Sequence, residues 1–130
     1  MKEITEDYIS FETAKLLKEK GFIVPYDSFR GVYINGIFKR LNPGSGYGYN
    51  SDDEVIAVCS LQMATKWLIR EYRLFVNVVP SVEGYYWTEK WHSYVEDLNK
   101  KYPFGKFLGT FNFPEEATEV AIKYCLEKLI

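Results

Sequence analysis

His92 is the only histidine in the chain, so any histidine-based metal site or Ser-His-Asp triad would have to use it. Its neighbours Trp91 and Ser93 are typical of a half-exposed strand, where a histidine needs no catalytic role. Cys59 could pair with His92 as nucleophile and base. However, Cys59 follows the apolar run Val55–Val58, and such surroundings keep a thiol protonated and unreactive. The sequence therefore predicts no catalytic residue and a protein that is not an enzyme.

The acidic run Asp52–Glu54 is the obvious place to look for a bound cation. Three adjacent acids cannot all point inward, because a calcium loop places its ligands at alternate positions. A solvated acidic turn is the simpler interpretation. We predict neither a metal site nor a cofactor.

A glycine-rich run precedes these acids, with glycines at the alternate positions Gly44, Gly46 and Gly48. This spacing matches neither the dinucleotide-binding Gly-x-Gly-x-x-Gly pattern nor a P-loop, since no Gly-Lys-Ser/Thr follows. A surface loop is the plain interpretation. Long loops without regular structure are often functional, however, so the alternative is a loop that closes over a small molecule with Tyr47 and Tyr49.

Aromatic residues are unusually frequent, at 18% of the chain with 11 Tyr, 9 Phe and 3 Trp. Those in the second half fall on both faces of the predicted strands. Three helices could cover both faces; otherwise the uncovered rings form a patch suited to a protein partner, to self-association or to stacked bases. The candidate binding residues are Tyr47, Tyr49, Tyr86, Trp91, His92 and Tyr94.

Composition limits the remaining possibilities. A chain of 130 residues fits one domain with a real core. The net charge of −2 argues against nucleic acid as a partner. Cys59 and Cys125 lie in apolar stretches, which indicates buried thiols in a reducing compartment. Neither a signal-like start nor an apolar run of roughly 18 residues is present, so we expect a cytoplasmic protein without a membrane segment.

The apolar spacing predicts a helix over Ser10–Gly21, capped by Ser10, and a second over Ser60–Tyr72. Asn35-Gly36 predicts a hairpin between Gly31–Ile34 and Ile37–Arg40. The predicted connecting loop is Asn42–Asp53.

Three strands and a helix complete the predicted second half. The strands are Leu74–Val79, ended by Pro80; Tyr85–Leu98, with a bulge or bend; and Gly105–Phe111. Asn112 and Glu115 suggest a capping box at the start of a last helix that reaches the C-terminus. The predicted fold class is α+β, with three helices packed on a small antiparallel sheet and a C-terminal half in the order helix, three strands, helix.

That second-half order resembles the connectivity of double-stranded-RNA-binding domains. In that family the last helix opens with lysines that contact phosphates, whereas this chain has Glu115 and Glu116, which would repel them. The end Phe111–Ala117 also resembles antitoxins in which three strands precede a helix that opens with Glu-Glu-Ala.

A longer resemblance covers all three predicted helices, over Tyr8–Phe22, Ser60–Glu71 and Pro114–Ile130. These stretches resemble small, functionally unassigned proteins carried by phages and mobile elements of gut bacteria; Val32–Asp53 and Ser81–Lys106 do not. The resemblance implies an accessory protein and assigns no site.

The sequence supports two main functional hypotheses. The first is a non-enzymatic interaction protein that binds another protein or itself through the aromatic strands and the glycine loop. The second is a small-molecule or nucleotide-binding protein in which Tyr47, Tyr49 and the aromatic strands line a pocket. An antitoxin-like or RNA-binding domain is a further alternative.

Overall fold

The computed structural model describes residues 7–24, 31–40, 52–100 and 105–130. Over these residues it confirms the α+β class, with three helices and two antiparallel three-stranded sheets instead of one. The chain divides into two compact units, Met1–Ser60 and Leu61–Ile130, each with its own sheet. Among the described residues, none of the helices has the length and apolarity needed to span a membrane.

In the N-terminal unit the described residues form one helix and three short strands, which are α1 (Phe11–Glu19), β1 (Gly31–Ile34), β2 (Ile37–Arg40) and β3 (Val55–Ala57). The sheet order is β2-β1-β3, and both pairings are antiparallel. The C-terminal unit holds α2 (Leu61–Tyr72), β4 (Leu74–Glu83), β5 (Tyr86–Asp97), β6 (Gly105–Phe111) and α3 (Pro114–Tyr124), followed by a π-helical turn (Cys125–Leu129). Its sheet order is β4-β5-β6.

Local signals explain the N-terminal elements. Ser10 caps α1 as predicted, because its hydroxyl accepts a hydrogen bond from the Thr13 N–H. Gly21 has the left-handed φ of +91° expected after a helix. The hairpin turn is also confirmed: Asn35 and Gly36 have φ values of +51° and +84°, as a type I′ turn requires.

Two predicted boundaries in the C-terminal unit are wrong. The strand expected to end before Pro80 continues to Glu83, because β4 is an edge strand, where a missing N–H is tolerated. Asn112 does not cap α3. Pro114 occupies the first turn, where its fixed φ suits helix entry, so the extended Phe113 becomes the N-cap and makes no side-chain bond.

Helix α3 packs on one face of the C-terminal sheet and also contacts α2. The fully buried Ser93 on β5 joins the two layers, since its hydroxyl donates to the Ala117 carbonyl at 2.7 Å. Ala117 and Ala121 are fully buried small residues, which allow the helix to approach the sheet closely. The core of this unit therefore lies between α2, α3 and one face of the sheet.

Replacing Ser93 by alanine should lower the free energy of unfolding by about 1 kcal/mol, the usual net worth of one hydrogen bond. The cost stays modest because the Ala117 carbonyl still accepts the helical N–H of residue 121. Ser93→Val should cost about 2 to 4 kcal/mol, since it loses the bond and overpacks a fully buried position. Urea unfolding followed by circular dichroism measures both changes.

The matched control is Thr65→Ala on the exposed side of α2, where the hydroxyl donates to Gln62. This variant should stay within about 0.5 kcal/mol of the parent. Equal effects of Ser93→Ala and Thr65→Ala would contradict the role assigned to Ser93.

Candidate functional site

The β4–β5 hairpin extends beyond the rest of the C-terminal sheet. Strand β6 pairs with β5 only over Trp91–Glu96, whereas β4 pairs with β5 as far as Glu83 and Tyr86. We call the two-stranded projection Ser81–Lys90 the arm. Gly84 opens its two-residue turn with φ of +63°, the conformation that a type II′ turn places at this position.

A bulge separates the arm from the sheet. Three residues of β5, from Thr88 to Lys90, lie opposite the single residue Ser81 of β4. Glu89 takes a left-handed φ of +65° there, and the Thr88 hydroxyl donates to the Ser81 carbonyl at 3.3 Å. The bulge therefore interrupts the regular pairing between the arm and the rest of the sheet.

Three consecutive aromatic residues at the tip of the arm are strongly exposed. The exposed fractions are 99% for Tyr85, 79% for Tyr86 and 69% for Trp87. Trp87 lies opposite Val82 in the register, a cross-strand pair that stabilises the hairpin. That pairing gives the Trp87 side chain one packing partner within the hairpin, whereas Tyr85 lies in the turn and has no cross-strand partner in the register.

A second aromatic cluster lies on the sheet face opposite Ser93. His92 and Tyr94 alternate with Ser93 along β5, and both contact the ring of Phe107 on β6, with centroid distances of 5.4 and 5.2 Å. Phe107 is 47% exposed. Trp91 has the parity of Ser93 and therefore lies on the other face, where it pairs with Phe111.

The His92 ring has one side-chain hydrogen bond, between Nδ1 and the Thr110 hydroxyl at 2.9 Å. The distance would suit a base and a nucleophile. Yet His92 and Thr110 are direct cross-strand partners in the register, so sheet pairing alone accounts for the contact. Within the described ranges, no three His, Cys, Asp or Glu side chains are grouped so that they could hold a metal ion.

The candidate residues from the sequence thus separate into distinct places. The structure brings His92 and Tyr94 together, puts Tyr86 on the arm and puts Trp91 on the opposite sheet face. Tyr47 and Tyr49 lie outside the described residues. Sequence reasoning missed Phe107, because the bulge at Gly109, with φ of +131°, decides which β6 side chains face His92.

A groove of about 380 Å³ in the N-terminal unit was also missed. It is lined by α1, by β3 and by the segment Phe22–Val24, and its lining contains none of the candidate residues. The signal available in the sequence was the short apolar run Phe22–Val24, which directly follows the glycine that ends the predicted first helix.

Both described cysteines are buried free thiols, as predicted. Desolvation by burial, helped by the negative charge of Asp97, raises the pKa of Cys125 from 9.0 to about 12. A thiol held protonated in this way is a poor nucleophile. Cys125 therefore belongs to the core of the C-terminal unit and offers no reactive group.

Comparisons with known proteins find no matching family model, no significantly similar curated protein and no significantly similar solved structure. The resemblance of the helical segments to small phage-carried proteins therefore stays a prediction from the sequence.

The pKa of Cys125 predicts a loss of stability at high pH. The unfolded chain releases the thiol proton near pH 9, whereas the folded chain retains it to about pH 12. The stability contributed by this group is thus fully present below pH 9 and is lost as the pH rises towards 12, by up to about 1.4 kcal/mol per pH unit.

Urea unfolding of the parent and of Cys125→Ala from pH 8 to 11 isolates this effect from the titration of tyrosines and lysines. The variant starts less stable because it leaves a small cavity. The difference between the two proteins should shrink as the pH rises above 9, and a difference that stays constant would refute the assignment.

Proposed function

We propose that this protein is a non-enzymatic interaction module that binds another protein through the tip of the arm. The observation that carries the proposal is the run Tyr85–Trp87, three large rings held out in water at the end of a two-stranded projection. Scattered exposed apolar residues are normal, but adjacent exposed rings mark interaction sites.

The chemistry of these residues favours a protein as the partner. Tyrosine and tryptophan are enriched at interface hot spots, the positions where truncation to alanine weakens binding most. They bury a large area at low cost in side-chain entropy. The arm also carries Glu83 and Glu89 beside the single cation Lys90. This balance fits the polar rim of a protein interface and does not fit a phosphate backbone.

The aromatic cluster of His92, Tyr94 and Phe107 could extend the contact along the sheet, since β5 carries both sites. We assign it the secondary role, because its rings already pack on one another and are less exposed than those of the arm tip. An accessory role in a phage or mobile element is an expectation that rests on the sequence resemblance alone.

The first test is site-specific photo-cross-linking in the cells that produce the protein. p-Benzoylphenylalanine at position 85 should give a discrete cross-linked protein that mass spectrometry identifies, because this position would be buried at the interface. The same probe at position 37 is the matched control, since Ile37 is 66% exposed on β2 in the other unit. The same cross-linked proteins from both positions would contradict the proposal.

The second test measures affinity for the protein so identified. Replacing Tyr85 and Trp87 together by serine should weaken binding by about 30-fold or more, which corresponds to the loss of one interface hot spot. Ile37→Ser should leave the affinity unchanged. Circular dichroism should show the same fold for all variants, and unaltered affinity of the double variant would contradict the proposed role.

A further inference from the structure

The side chains that line the groove of the N-terminal unit are mostly apolar. Of the eleven described residues that line it, ten are apolar or cysteine and the other is Lys18 of α1. Its volume of about 380 Å³ lies in the range of ligand-binding clefts. At its mouth, Ile23 is 83% exposed, so a large apolar side chain lines the groove and still meets water.

The backbone of β3 forms one wall of this groove, and its two edges are distinct. Towards β1, the Glu54 carbonyl accepts from the Asn35 N–H at 2.8 Å, and the Val58 N–H donates to the Gly31 carbonyl at 3.1 Å. Backbone groups alternate in direction along a strand. The odd-numbered positions between Glu54 and Val58 therefore direct their N–H and C=O groups away from β1.

Two contacts on the outer edge agree with this alternation. The Lys18 ammonium donates to the Val55 carbonyl at 3.2 Å, and the Ile9 N–H donates to the Cys59 carbonyl at 3.2 Å. Ala57 lies between these two positions and lines the groove. The described part of the chain shows no hydrogen bond to its outward N–H or C=O.

These backbone groups decide the class of ligand. An acyl chain would fill the apolar groove but would leave the N–H and C=O of Ala57 unpaired and dehydrated, at a cost. An extended peptide satisfies both groups by adding a strand, while its side chains fill the apolar space. The segment Tyr8–Ile9 already pairs with this edge at Cys59 and Ser60, so the edge accepts extended chain immediately beside the groove.

The ammonium group of Lys18 favours a peptide whose C-terminal carboxylate lies in the groove. An ammonium has three donors, and the Val55 carbonyl takes one. A carboxylate that reached the groove beside Lys18 would pair with the one charged side chain among its described lining residues.

We propose that the groove between α1 and β3 binds an extended apolar peptide with a free C-terminal carboxylate, which adds as a strand to the outer edge of β3. This site is separate from the arm and does not depend on it.

The experiment titrates the ¹⁵N-labelled full chain with an acetylated peptide of four β-branched residues that has a free C-terminus. The amides of Val55, Ala57 and Ile23 should shift, and those of the arm should not. The matching C-terminal amide should bind about threefold more weakly, as expected for an exposed ion pair. The same peptide with N-methyl groups on its backbone should show no binding.

Variants of the protein test the two recognition elements separately. Lys18→Gln should abolish the preference for the carboxylate over the amide. Ala57→Pro removes the outward N–H and leaves the hydrogen bonds to β1 in place, on an edge strand where proline is tolerated, and should weaken binding at least about tenfold. If Ala57→Pro does not fold, Ile23→Ser at the mouth serves instead, with Ile37→Ser on β2 as its control.

Three results would overturn the proposal. The first is the absence of shifts at millimolar peptide. The second is equal binding of the N-methylated peptide, since strand addition requires backbone hydrogen bonds. The third is saturation of the groove by decanoate, or by a second copy of the protein, under conditions where the peptide does not bind.

Discussion

One-sided packing of α3 on the C-terminal sheet is the constraint on which the rest of that unit depends. The buried hydrogen bond from Ser93 to the Ala117 carbonyl fixes which face of β5 the helix covers. Because side chains alternate along a strand, His92 and Tyr94 must then point to the opposite face. The face covered by α3 does not bury all of the aromatic side chains, so some of them contact solvent. The most exposed of these lie on the arm.

The N-terminal unit follows the same logic at the level of the backbone. Strand β3 has only three residues and pairs with β1 on one side. Along its other edge, separate groups bond to the backbone carbonyls: Lys18 at one position and Ile9 at another. The groove lies where neither group reaches. Short edge strands normally discourage pairing with other chains. Here the apolar lining of the groove would stabilise an added strand by burying its apolar side chains.

Local chemistry made much of the fold predictable. Ser10, the Asn35-Gly36 turn and the strand Gly105–Phe111 each carry their own signal within a few residues. Pro80 misled because only the sheet order shows that it lies on an edge strand. The candidate site was harder to predict. The bulge register that brings Phe107 to His92 and Tyr94 follows from tertiary contacts alone. The same holds for the groove, whose walls come from segments remote in sequence.

Solvent access of Trp87 in the free and bound protein tests the central claim most directly. Trp67, Trp87 and Trp91 can be labelled together with 5-fluorotryptophan, and Trp87→Phe assigns the arm resonance. In the free protein, a soluble paramagnet should broaden that ¹⁹F signal far more than the other two, and the partner protein should protect it. A Trp87 signal that is already protected in the free monomer, or that stays fully broadened in the saturated complex, would contradict the account.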